Sequence, residues 1–260
     1  RLRTYDKYSP YPEEMNRRMV SAIADLHFCP TPSNRDNLAR EGIEQGVFLT
    51  GNTVIDALQT TVVKDFHFSE GVLNDLDYVN RKVILVTCHR RENYGTPMAH
   101  IMTALRRVAD AFPEVELVYP VHLSPVVQEP PTSIWTTIPH PPHRPSGGGR
   151  DAQPHGPLLP VMTDSGGLQE EAPALGKPVL VLRKETERPE AVAAGTVKLA
   201  GVEEDVIFSM ASELLSIRRL TPPCPRGQPL RDGHACRRIA DAIEWKFGLR
   251  PEPPLPFGEE

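Results

Sequence analysis

Residues 161–201 read VMTDSGGLQEEAPALGKPVLVLRKETERPEAVAAGTVKLAG. A short apolar run ends in Asp164-Ser165-Gly166-Gly167. The helix-forming run Leu168 to Leu175 follows at once, and after Gly176 comes a second apolar strand, Pro178 to Leu182. Strand, glycine turn, helix and strand make a βαβ unit, the building block of a parallel sheet. Its turn sits where amide N–H groups lack intrahelical partners, and the helix dipole adds about half a positive charge there. Such a turn suits anions, phosphate first. Glu170 and Glu171, one turn into the helix, would repel phosphate but suit sugar hydroxyls. Together they predict a nucleotide site, with phosphate on the turn and ribose on a carboxylate.

The same alternation extends upstream. Val83 to Thr87 reads as a buried parallel strand rich in β-branched residues. Pro97 to Phe112 reads as an amphipathic helix with Ile101, Leu105 and Val108 on one face, and Val115 to Tyr119 as the next strand. Nearer the N-terminus, Tyr11 to Ala24 and Asn34 to Glu41 read as helices, the second ended by Gly42. Val47 to Thr50 is a short strand, Gly51-Asn52 a turn, and Thr53 to Val62 a helix. The expected fold class is α/β, a Rossmann-like doubly wound parallel sheet.

Two segments break the pattern. Residues 130–160 hold nine prolines and three successive glycines, and residues 218–230 read RRLTPPCPRGQPL. Neither is expected to form a regular helix or central strand. A structureless loop of that length is uncommon in a compact domain. The segments read either as disordered insertions or as stretches where the reading frame has been altered.

Composition narrows the function. The 260 residues suit one large or two modest domains. With 29 basic and 34 acidic residues the formal charge is −5, which argues against nucleic acid or an anionic membrane as partner. No apolar run approaches the roughly 20 residues of a membrane span, and Arg1 to Asp6 is no signal peptide. Cys29, Cys88, Cys224 and Cys236 show no metal-type spacing. A reduced, cytoplasmic protein with unpaired thiols and no metal is expected.

Loops that leave the C-terminal ends of parallel strands are where open α/β sheets bind ligands. Thr87-Cys88-His89-Arg90-Arg91-Glu92-Asn93 is one such loop. Its arginines present forks suited to phosphate oxygens, and His89 can donate to phosphate or exchange a proton. The bland alternative is a solvated charged loop. His122, one strand later, reads either as a structural histidine or as a second member of that edge. The segment Thr186-Glu187-Arg188-Pro189-Glu190 reads either as an ion-paired turn or as part of the site. Glu13 opens a helix, where a carboxylate favours the dipole whether or not it has another role.

Seven ordered segments carry a resemblance to the non-hydrolysing UDP-N-acetylglucosamine 2-epimerases of bacteria. They are YSPYPEEMNR (8–17), FLTGNTVIDAL (48–58), VTCHRRENYG (86–95), VYPVHLSPVV (118–127), TDSGGLQEEAPALGKPVLVLR (163–183), TERPEAVAAGTVKLAG (186–201) and DGHACRRIADAI (232–243). The resemblance implies a glycosyltransferase-B-like architecture of two Rossmann-like halves, with residues 1–52 a remnant of the N-terminal half. Residues 53–240 would form the UDP-binding C-terminal half and residues 241–260 a closing helix and tail. The implied reaction inverts C2 of UDP-N-acetylglucosamine (UDP-GlcNAc) to give UDP-N-acetylmannosamine (UDP-ManNAc). UDP leaves and re-adds through 2-acetamidoglucal, without a redox cofactor.

By the same resemblance, Glu13 is an acid/base carboxylate and His89 a catalytic, UDP-contacting histidine. Ser165, Gly166 and Gly167 hold the diphosphate and Glu171 the ribose, and Arg188 lies in a substrate loop. Arg90 and His122 contact a second UDP-GlcNAc that activates bacterial members, which are expected to be homodimers serving cell-envelope polysaccharide synthesis. The family's two other acid/base carboxylates would lie upstream of Leu2. The expectation for the 260 residues alone is therefore an inactive, UDP-sugar-binding fragment. A related glycosyltransferase-B-fold enzyme is the alternative.

Overall fold

A computed structural model describes residues 3–8, 11–62, 67–68, 71–121, 135–139, 160–186, 189–193, 195–216 and 232–258. His122, Arg188, Cys224, residues 218–230 and most of 130–160 lie outside them. The chain divides into two compact units, Arg1–Thr60 with Gly227–Glu260, and Thr61–Arg226.

In the first unit, strands β1 (His27–Cys29) and β2 (Val47–Leu49) pair in parallel. Helix α1 (Glu13–Ile23) precedes them, α2 (Pro32–Arg40) connects them and α3 (Thr53–Thr61) follows. Thr31 caps α2 by accepting the Asn34 N–H on its side chain, and Pro32 occupies the first turn, where its missing N–H costs nothing. Gly42 ends α2 as expected, at φ +74°. Its N–H donates to the Ala39 carbonyl and that of Ile43 to Leu38, which satisfies the last carbonyls.

Helix α9 (Ala235–Lys246) belongs to this same unit. Its N-terminus is capped from far along the chain. The Asp56 carboxylate accepts the Ala235 N–H at 3.2 Å and the Cys236 N–H at 2.7 Å. Buried Arg238 donates to the Thr50 carbonyl at 3.0 Å and pairs with Asp232, and the Phe257 N–H reaches the Leu49 carbonyl at 2.8 Å. The sequence-based boundary at residue 240 falls inside α9, whose start is capped by Asp56 of α3.

The second unit is a six-stranded, fully parallel sheet. Its strands are β3 (Lys82–Thr87), β4 (Val115–Val121), β5 (Trp135–Pro139), β6 (Val161–Thr163), β7 (Val179–Val181) and β8 (Val197–Leu199). Helices α4 (Gly71–Asn74), α5 (Thr96–Ala111), α6 (Leu168–Ala174), α7 (Pro189–Ala193) and α8 (Glu204–Ser216) accompany them. The spatial order β5-β4-β3-β6-β7-β8 steps outward from β3 in both directions, as in dinucleotide-binding folds. The direction of connection reverses between β3 and β6.

Both faces of the sheet are covered, which explains the continuous apolar runs. Ile84, Val86, Met162, Leu180 and Leu182 pack on one side with Ile101, Leu105 and Val108 of α5 and Ile207, Ala211 and Leu215 of α8. Val161, Val179, Val181 and Val197 pack on the other with Leu168 and Ala172 of α6. Burying each such side chain contributes about 1.5–3 kcal/mol.

One of the two pattern-breaking segments contributes an edge strand, which the expectation of no central strand allows. The proline-rich stretch 130–160 holds strand β5, paired with β4 in the register Leu117↔Trp135 to Val121↔Pro139. The residues Trp135 to Ile138 are β-formers, and Pro139 closes the strand at the end of the sheet order, where a missing donor is tolerated.

Two glycines give a test of the first unit. A Cβ on Gly46, at φ +67°, would lie 2.2 Å from the Asp25 carbonyl oxygen, whereas one on Gly42 meets nothing within 4 Å. Gly42→Ala is expected to cost about 1 kcal/mol of conformational strain. Gly46→Ala adds a backbone clash and is expected to cost roughly 2 kcal/mol or more. Thermal unfolding of both variants checks the ranking, and equal melting temperatures would contradict it.

Candidate functional site at the sheet switch point

Where the connections of a doubly wound sheet diverge, the two neighbouring loops leave a crevice at the strand C-termini. Here those strands are β3 and β6, aligned by the pair Thr87↔Thr163. The two threonine hydroxyls are 2.5 Å apart, and Thr87's carbonyl accepts the Asp164 N–H at 3.1 Å. Thr163 Oγ1 also accepts the Ser165 N–H at 2.8 Å. The first amide of the glycine turn is therefore committed to the scaffold. Ser165, Gly166 and Gly167 are each partly exposed.

Asp164 joins the two loops. Its side chain is fully buried. Oδ2 accepts the His89 N–H at 2.9 Å, the Arg90 N–H at 2.8 Å and Asn93 Nδ2 at 3.0 Å. Oδ1 lies 3.3 Å from His89 Nδ1 without the alignment of a hydrogen bond. A buried carboxylate without donors would cost several kcal/mol, and here three N–H groups offset that cost. Asn93 is buried and also donates to the Leu182 carbonyl at 3.2 Å, so the ends of β3, β6 and β7 meet on one amide.

The neighbours are polar groups used for positioning. The Tyr119 hydroxyl donates to the Cys88 carbonyl at 2.7 Å. Burial pushes the Cys88 thiol well above the usual range, and the adjacent Asp164 adds to the effect. That keeps the thiol protonated. Burial likewise raises the Tyr119 hydroxyl. Gln169 donates to the Ser165 carbonyl at 3.2 Å and accepts from Thr186 at 2.7 Å, which ties the glycine turn to the loop after β7. Arg183 Nε donates to Glu92 Oε1 at 2.8 Å.

The structure thus brings together His89, Arg90, Ser165, Gly166, Gly167 and Glu171, all beyond β3 and β6 in the second unit. His89 is exposed and Arg90 partly so. Gly167 is helical, at φ −65°, so its lack of a side chain is not a matter of backbone strain. A Cβ there would lie 3.3 Å from Glu171 Oε1, and glycine leaves that carboxylate room. Glu13 belongs to the first unit, exposed in the first turn of α1, next to the buried Glu14. His122 and Arg188 lie outside the described residues. Sequence reasoning gave no role to Asp164, Asn93, Tyr119 or Gln169. An acidic residue between a buried strand and Ser-Gly-Gly is the one signal that could have marked Asp164.

Among the described residues, no group of three or more His, Cys, Asp or Glu side chains is arranged to hold a metal ion. None of their helices is long and apolar enough to cross a membrane.

A family model of UDP-N-acetylglucosamine 2-epimerase matches residues 2–244. The chain is 44% identical over 270-odd residues to the UDP-N-acetylglucosamine 2-epimerase of Bacillus subtilis (273 aligned), covering 98% of this chain and 67% of that protein. Among solved structures it resembles the S. aureus MnaA–UDP complex, with a TM-score of 0.87, 41% identity, and coverage of 99% of this chain and 70% of that one. The Neisseria meningitidis UDP-GlcNAc 2-epimerase bound to UDP-GlcNAc has a TM-score of 0.78 and 37% identity, covering 93% and 67%. The chain spans about two thirds of the length of these relatives. The fold is the expected α/β one, with Rossmann-like, glycosyltransferase-B-like architecture. On the family match and these identities together, the chain belongs to the UDP-N-acetylglucosamine 2-epimerase family.

Proposed function

We propose that this protein takes part in the reversible C2 epimerisation of UDP-GlcNAc to UDP-ManNAc, by elimination and re-addition of UDP through 2-acetamidoglucal. The observation that carries the reading is the junction on Asp164. It sets a histidine, an arginine and a glycine turn side by side at the switch point of a parallel sheet. Relatives solved with UDP and with UDP-GlcNAc support the same ligand here.

In the elimination a base removes the C2 proton, and the C1–O bond breaks with its electrons leaving on the diphosphate. The leaving group gains charge, so the protein must offer donors where that charge appears. His89, the Ser165 hydroxyl and the amides of Gly166 and Gly167 are the donors at the turn. The Ser165 amide is not among them, because Thr163 holds it. Glu171 suits the ribose hydroxyls, as a carboxylate can accept from both. Re-addition of UDP with a proton delivered to the opposite face gives the epimer. Glu13 is one of the carboxylates for proton transfer, and Arg188 belongs to the substrate loop. Arg90 and His122 contact a second, activating UDP-GlcNAc. A homodimer in the cytoplasm is the expected working form. The chemistry is elimination rather than hydride transfer, so it calls for no redox cofactor.

Binding calorimetry is expected to detect UDP on the 260-residue chain. Ser165→Ala and Glu171→Gln should each weaken it about tenfold, the loss of one hydrogen bond to a charged group. Unchanged affinity in both variants would remove the turn from the site. Where the family's other two acid/base carboxylates are also supplied, turnover of UDP-GlcNAc in D2O is expected to place deuterium at C2 of UDP-ManNAc without accumulation of free ManNAc. Free sugar in place of UDP-ManNAc would indicate a hydrolysing enzyme instead. Glu13→Gln should lower that turnover by about 10²–10⁴-fold, the usual range for an acid/base group.

A further inference from the structure

We infer that Gln169 is a positioning residue for the glycine turn: its buried side-chain amide holds the Ser165 carbonyl inward, and so turns the Gly166 N–H of the same peptide unit outward to the ligand. This deepens the proposed function and rests on it for the identity of the ligand. The positioning itself is read from geometry within the second unit.

Three observations carry it. First, Gln169 is polar yet only 1% exposed, in the first turn of α6. A buried amide has to find partners within the fold. Both ends of this one are used: Nε2 donates to the Ser165 carbonyl at 3.2 Å, and Oε1 accepts from the Thr186 hydroxyl at 2.7 Å. The chemistry of the partners fixes which end is which. A carbonyl can only accept, so the nitrogen faces Ser165 and the oxygen faces Thr186. Second, the Ser165–Gly166 bond is trans, and in a planar trans unit the C=O and the N–H point in opposite directions. The carbonyl is drawn toward a buried side chain, so the Gly166 N–H points the other way, on a residue that is partly exposed. The preceding unit is held in the opposite sense, because buried Thr163 accepts the Ser165 N–H at 2.8 Å. Of these two amides, that of Gly166 is the one turned toward an anion.

Third, the residue after this peptide bond is glycine. Turning the unit over changes ψ of Ser165 and φ of Gly166, and glycine accepts φ of either sign. The flipped unit would set the Ser165 carbonyl, a partial negative charge, against a diphosphate. Glycine leaves both orientations open, and the Gln169 amide selects the one that offers a donor. Thr186 stands in the loop after β7, so the same side chain ties the orientation of the turn to that loop.

The test uses the full chain carrying Ser146→Ala, made by cell-free synthesis with 13C-carbonyl serine and 15N-glycine. Ser146-Gly147 and Ser165-Gly166 are the Ser-Gly pairs of the sequence, so one carbonyl–amide correlation remains, that of the peptide unit in question. UDP is expected to move its amide proton downfield, as a hydrogen bond to phosphate does. In Gln169→Met that downfield movement should be lost and UDP should bind about tenfold more weakly, while uridine, which has no phosphate, binds as before. An unchanged downfield movement in Gln169→Met overturns the inference, and equal losses for UDP and uridine would make Gln169 merely structural. Thr186→Val keeps the Gln169 amide and removes the hydroxyl at its other end. It should weaken UDP less than Gln169→Met does, spare uridine, and add almost nothing to Gln169→Met. Should Gln169→Met fail to fold, Thr186→Val decides alone: no loss of UDP, or an equal loss of uridine, overturns the inference. If the unmodified chain binds no UDP, the proposed function is what fails. The ligand-free Ser165 carbonyl carbon then decides the role of Gln169, moving upfield in Gln169→Met as its donor is lost; no movement overturns the inference.

Discussion

The junction between β3 and β6 depends on one buried carboxylate. Asp164 leaves the end of β6 with no solvent to stabilise its charge, so it must find donors within the fold. It finds them on the loop after β3, in two successive backbone N–H groups and the Asn93 amide. Those bonds exist only because β3 and β6 are hydrogen-bonded neighbours. The sheet order and the site are therefore linked. A different strand between β3 and β6 would leave both the carboxylate and the amides unpaired.

The rest of the second unit serves that adjacency. Successive side chains on each strand point to opposite faces, so Met162 and Leu180 meet α5 and α8 while Val161 and Val179 meet α6. With apolar layers on both sides, the polar groups of these strands gather at their C-terminal ends, where Thr87, Thr163 and Asp164 lie. There the hydroxyl pair, the Ser165 amide and the Asn93 amide form a connected set. In a low-dielectric setting such bonds reinforce one another. The result is a hydrogen-bonded floor beneath a glycine turn and an exposed histidine.

Much of the fold was legible along the chain. The βαβ unit from Val161 to Val181 and the α5 helix fall within a residue or two of their expected limits. Their long apolar periodicities survive any reading of the ends. The strand His27–Cys29 was not legible, because three residues cannot show a period. Strand β5 was hidden by the prolines around Trp135–Pro139, although its own residues favour extended structure. The cap on α9 could not be seen either. Its carboxylate, Asp56, is 179 and 180 residues from the amides it accepts.

His89, Arg90, the glycine turn and Glu171 stood out by themselves, because their residue types and their places after apolar strands carry a local chemical meaning. Sequence alone singled out which loops are candidates to hold the chemistry and the family to which they are similar. Only the tertiary structure decided how those loops are joined. Asp164 and His89 are 75 residues apart, and nothing local shows that one's carboxylate faces the other's ring. That relation arises when parallel pairing brings two strand ends within hydrogen-bond distance, and burial then obliges the charged group to use the donors it finds there.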